Sequence, residues 1–309
     1  MNSKLTATLC SALVLAATGV SFAQQGGASP ASKGVEDQKL RTPDGWTIPI
    51  TYYRSANGKE TPVVIMLHGK GGNRQVWKGT AEKLHGAGYA VVTVDLRKHG
   101  ESEPPPNAGA RAERLTANDY QKMVAFDLET VKDFLFKEHE AERLNIRKTG
   151  IVAADDMAPV AAQWTLADWL KKPYPDAPTM NARTPKGQDV RALALLSPSE
   201  NAGSLVLGRA LPQLRNDLFG VAVWMAVGAE DRQDRGTAEK AYERLTSGAG
   251  TAKDRVFLDE FEQVKARGTE LLTVGNANID GRILVFFDKF LKTLDGPADK
   301  WRTRKSRLQ

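Results

Sequence analysis

The side chains able to attack a substrate or move a proton are few and unevenly spread. The chain has four histidines, His68, His85, His99 and His139, and all of them precede the run Ala154-Asp155-Asp156-Met157-Ala158. That run puts two carboxylates among small residues at the end of an apolar stretch. A carboxylate there can act as a nucleophile, forming an ester that a histidine-activated water must release. It can equally cap the helix opening at Met157, since Asp is a favoured N-cap residue. A third acid, Asp231, follows Gly228-Ala229-Glu230, where it reads as a solvated loop residue. No Cys/His or H-x-x-x-H spacing for zinc occurs, and Asp155, Asp156 and Asp231 would make at most a weak oxygen site for Ca²⁺ or Mg²⁺, so no metal is expected. Gly69-Lys70-Gly71-Gly72 lacks the G-K-[ST] ending of a phosphate cradle and the G-x-G-x-x-G spacing of a dinucleotide site, so no cofactor is expected.

The elements that must position these groups alternate along 309 residues. Two extended runs around Asp44-Gly45 form a hairpin. The apolar block Val63 to Leu67 has the pattern of a strand buried on both faces. Helical spacing from about Asn73 to His85 leads to the strand YAVVTVDL, from Asn118 to Arg143 to TGIVAA, and from Met157 to Leu170 to VRALALLSP. FGVAVWMAVG, a helix near Thr237 to Leu245, RVFLDEF and a helix from Ile279 to Leu294 follow. Apolar strands separated by amphipathic helices predict a mostly parallel sheet covered on both faces in one domain, residues 37–295, with the hairpin as an antiparallel edge. The stretch KKPYPDAPTMNARTPKGQ reads as a surface excursion rather than a cap domain.

The ends of the chain bound the setting. Lys4, the apolar run from Leu5 to Ala17 and the small pair Ser21 and Ala23 have the pattern of an export signal over residues 1–23, and the run is short of the ~20 residues of a spanning helix. Residues 24–36 read as a flexible linker. The expected residence is periplasmic or extracellular. The only cysteine, Cys10, lies within the signal, so the domain has no disulfide. Net charge is +6, but Lys300, Arg302, Arg304, Lys305 and Arg307 crowd the last ten residues. The body is near neutral, which argues against nucleic acid as a partner. The basic tail, residues 296–309, is expected to be solvated, with at most weak contact to an anionic surface.

Several landmarks in this order resemble the α/β-hydrolase superfamily over Lys39 to Leu294. They are the strand ending in His68-Gly69 with its Gly-rich loop, and Asp95-Leu96-Arg97-Lys98-His99-Gly100-Glu101-Ser102, similar to a D-x-R-x-H-G-x-S run of that family. The resemblance implies an α/β-hydrolase fold with a mostly parallel central sheet, helices on both faces and an N-terminal antiparallel hairpin. It implies a nucleophile elbow, G-x-S-x-G in active serine members, at Ala154 to Ala158, with Asp156 at the nucleophile position. Asp231 stands at the acid position, and backbone N–H groups near Lys70 and Met157 would be the oxyanion donors.

Two departures from that pattern decide the functional expectation. The serine is absent, and where the family offers a histidine before Gly-Thr the chain has Arg267-Gly268-Thr269. Arginine stays protonated and cannot accept the proton. His85 and His139, late in their helices, fall at the wrong edge of the sheet, leaving His68 and His99 as the candidates for an improvised base. The expected protein is an exported hydrolase-fold protein with a degenerate triad, binding a small-molecule or protein ligand in the old cleft. The alternative is an active hydrolase of an ester or related bond, with Asp156 as nucleophile, Asp231 as acid and His68 or His99 as base.

Overall fold

In the computed structural model the described residues are 34–109, 114–247 and 254–308. Residues Met1–Ser32 and Lys33–Gln309 group as separate units, and only the second is described below. The signal and most of the linker expected from the sequence lie outside the described residues.

Chain order explains the architecture. A hairpin, β1 (Val35–Arg41) and β2 (Thr47–Tyr53), is followed by β3 (Val63–Leu67), α1 (Lys78–Gly86) and β4 (Ala90–Val94). Then come α2 (Ala117–Lys122), a π turn (Met123–Asp127), α3 (Leu128–Glu140), β5 (Thr149–Ala154), α4 (Met157–Trp169) and β6 (Val190–Leu196). A small β7 (Asn201–Ala202) and β8 (Leu205–Val206) pair precedes α5 (Leu207–Leu214), β9 (Ala222–Gly228), α6 (Thr237–Thr246), β10 (Val256–Phe261) and α7 (Ile279–Phe287). The main sheet runs β1-β2-β4-β3-β5-β6-β9-β10. The β1–β2 and β2–β4 pairings are antiparallel and the rest are parallel.

Side-chain alternation along the central strands sorts the core into two layers. Ile65 and Leu67 of β3 face one layer with residues of α2 to α6, and Val64 and Met66 face the other with Trp77, α1 and α7. All five residues of β3, all five of β4 and all six of β5 are buried, as parallel strands covered on both faces must be. From β3 the chain moves outward to β4 and then returns to β5 on β3's other side. The loops leaving β3 and β5 therefore diverge, opening a crevice at the carboxyl edge of the sheet.

Two elements depart from the sequence expectation. Helix α5 was not anticipated, although Leu207, Ala210, Leu211 and Leu214 bury one face at helical spacing; Pro212 inside the helix masks the pattern. The C-terminal segment is docked rather than solvated. Arg304 is 2% exposed and pairs with Asp189, which also holds Lys132, and the Trp301 indole donates to the His139 carbonyl at 3.0 Å. Arg302, Lys305 and Arg307 remain exposed.

Candidate functional site

The sharp turn leaving β5 defines the site. Asp155 N–H donates to the Leu196 carbonyl at 3.0 Å, so hydrogen bonding to β6 runs one residue past Ala154. The backbone then reverses, with φ +51° at Asp155 and φ −71° at Asp156, the N-cap of α4. Asp155 therefore stands at the crest, a left-handed conformation that Asp tolerates better than most residues. This corrects the register read from the sequence, which put Asp156 at the crest and the Met157 N–H after it. The small pair Ala154 and Ala158 suggests that frame, but the crest carboxylate packs against glycines of other loops. A Cβ on Gly69 or Gly268 would lie 2.4 or 2.2 Å from Asp155 Oδ2. Met157 is fully buried as the first residue of α4.

Arg267, beyond β10, reaches the crest. Its Nε lies 2.7 Å from Asp155 Oδ1, its Nη1 2.6 Å from Asp231 Oδ2, and its Nη2 donates to Ser199 Oγ at 3.0 Å. The positions that sequence reasoning assigned to acid and base are thus joined with Asp155 in one Asp–Arg–Asp cluster. Burial pushes the Asp155 carboxyl up to about 6, with Arg267 opposing and the Asp156 and Asp231 charges adding to the rise. Asp156 is also held above the usual carboxylate range by burial, against a hydrogen bond from the Tyr120 hydroxyl to its Oδ2.

The two candidate bases serve the loops instead. His68 is fully buried, its Nδ1 bonded to the Gly69 carbonyl at 2.8 Å and its Nε2 facing the Leu96 N–H at 3.4 Å. Burial depresses it to about 4, which keeps it neutral. His99 Nδ1 is bonded to the Arg97 carbonyl at 3.0 Å, and the two rings lie 4.6 Å apart. Among the described residues, neither makes a hydrogen bond to Asp155, Asp156 or Asp231, and neither lines the cleft. His85 and His139 bond the backbone carbonyls of Arg54 and Arg302.

Above the crest lies an open cleft of about 810 Å³, walled by Lys70 and Gly72 after β3, Tyr120 of α2, Ser199 and Asn201 after β6, and Arg267, Thr269 and Glu270 after β10. Lys70, whose backbone N–H the sequence reading offers as an oxyanion donor, follows β3 in this wall. The reading missed Tyr120, Ser199 and Gln233; their only signal was position, Ser199 and Gln233 following strands at the same edge of the sheet. The excursion at residues 171–188 contributes nothing to the wall. Among the described residues no group of three or more His, Cys, Asp or Glu is arranged to hold a metal ion.

The comparisons agree with the fold. The family model described as alpha/beta hydrolase fold matches residues 62–171, the segment from β3 through α4. No curated protein matches the sequence. An esterase from Pyrococcus furiosus superposes with a TM-score of 0.56 at 17% identity, covering 83% of this chain and 93% of its own. A dienelactone hydrolase from Anabaena variabilis superposes with a TM-score of 0.55 at 14% identity, covering 84% and 99%. An esterase from Exiguobacterium antarcticum gives 0.52 at 14% identity, covering 82% and 100%. Sheet order, elbow and family match together give this chain the α/β-hydrolase fold.

Proposed function

We propose that this is a hydrolase-fold protein that has lost triad hydrolysis and works by holding a ligand in the cleft, exported by its first 23 residues to the periplasm or beyond. The observation that carries the reading is Arg267, ion-paired to both Asp155 and Asp231. Hydrolysis through this fold needs a side chain that takes a proton from the attacking group and returns it to the leaving group. A guanidinium at that position is protonated throughout and cannot do so. Asp155 at the crest is chemically able to attack an electrophilic carbon, but the resulting ester would have no imidazole to activate the water that clears it. The esterase titles of the structural neighbours speak for those proteins; at identities of 14 to 17% they bear here on the fold.

The test is a turnover assay of purified protein on 4-nitrophenyl acetate, 1-bromobutane and styrene oxide. The expected result is rates equal to buffer for all three. Saturable turnover of any of them that disappears in Asp155→Asn, with the melting temperature unchanged, overturns the proposal.

A further inference from the structure

The fixed charges around the cleft bear on what it would hold. Carboxylates of Asp155, Asp156 and Glu270 line it, with Asp231 beneath the crest. Against these stand Arg267 and Lys70. Arg267 is already committed to Asp155, Asp231 and Ser199. Lys70 and Glu270 are both exposed to solvent, where their charges are screened. The floor therefore has more negative charge than its own cations neutralise. Asp156 adds a sharper observation. It is 6% exposed; Tyr120 donates to Oδ2, while Oδ1, also buried, finds no hydrogen-bond partner. A buried polar atom without a partner costs about 1–3 kcal/mol, and more when charged.

We propose that the cleft binds a small organic cation, with a primary ammonium group seated against the carboxylates of Asp155 and Asp156. The proposal rests on the binding reading above and adds the chemical class of the ligand. An ammonium supplies three donors and a positive charge, so it compensates both the excess charge and the unmet acceptor. A neutral alcohol would supply a donor and leave the charge. A carboxylate ligand, or the oxyanion developing from an ester, would face the Asp155 carboxylate and be repelled. A divalent ion wants more oxygen ligands than the described residues bring together. Burial holds both Asp155 and Asp156 above the usual carboxylate range, and a bound cation would draw them down, releasing protons.

The experiment is titration of the whole protein with n-butylamine, 1-butanol, butyrate and calcium chloride at low salt, followed by NMR shifts and by calorimetry in buffers of different ionisation enthalpy. Butylammonium should bind saturably, with affinity on the order of millimolar for so small a probe, and should release protons. Butanol and butyrate should not saturate. Asp156→Asn should weaken butylammonium about tenfold at unchanged melting temperature, while Tyr120→Phe, which frees the second oxygen, should retain or tighten it. Absence of saturable binding, equal binding of butanol, tighter binding of calcium at the same residues, or an unaffected Asp156→Asn would overturn the proposal. Such a failure leaves the turnover assay as it was. Ester turnover in that assay would overturn the reading beneath, whether or not the amine binds.

Discussion

Replacing Asp155 by Ser and Arg267 by His in one chain should create hydrolysis of 4-nitrophenyl acetate, at least ~10³-fold above the wild type. The double variant puts a hydroxyl at the crest, an imidazole in Arg267's place beside it and Asp231 behind the imidazole, the order of groups that acyl transfer requires. Losing the serine or the histidine of a serine-protease triad costs about 10⁶-fold in turnover, and each loss alone costs nearly as much as all together. The single variants Asp155→Ser and Arg267→His should therefore stay at background, and the rate should appear only in combination. An inactive double variant that melts as the wild type does would mean that the surrounding groups no longer fit a tetrahedral intermediate. Activity in Asp155→Ser alone would mean that another base is within reach.

The second large effect concerns stability. Arg97 and Asp127 are fully buried side chains. The Arg97 guanidinium donates to both Asp127 oxygens, with Nη2 at 2.6 Å from Oδ1, and through Nη1 to Asp44 Oδ2 at 2.8 Å. The Trp46 ring lies 5.5 Å from its centre. The π turn at the head of α3 ends at Asp127, which also accepts the Arg97 N–H at 3.0 Å and so fixes the loop bearing His99. Asp127→Ala leaves a buried guanidinium with only half-buried Asp44 as counter-charge. Breaking a buried pair in this way costs about 3–5 kcal/mol. Urea unfolding should show a loss of that size, with a smaller one for Asp127→Asn, which keeps an acceptor. A loss below 1 kcal/mol for Asp127→Ala would show that the pair does not hold this loop.

Most of the architecture was legible because its signals are periodic. The apolar blocks from Val63, Ala90, Thr149 and Val190 have the length and pattern of strands covered on both faces, and the helical spacings between them predict the crossovers. The elbow was misread by one residue because Ala154 and Ala158 match the small flanking positions, whereas the turn depends on where hydrogen bonding to β6 stops, a property of two strands together. That residue 267 cannot take up a proton was readable from its type alone. That Arg267 closes on both Asp155 and Asp231 was not, since those residues meet only through the ends of three strands. Charge counting misjudged the tail for a similar reason. Arg304 looks like one more solvated cation until Asp189, more than a hundred residues earlier, is found beside it.

The ion pair between Arg267 and Asp155 is open to direct measurement by carboxylate titration, with the side-chain carbon of Asp155 followed by NMR from pH 3 to 9. The wild-type carboxyl should titrate near 6, with burial raising it and Arg267 holding it down. In Arg267→Met the midpoint should move higher, because the cation that favours the charged form is gone while burial and the neighbouring acids remain. A midpoint near the ordinary 4, unmoved by Arg267→Met, would mean that the guanidinium does not sit on the crest carboxylate and that the base position is open after all.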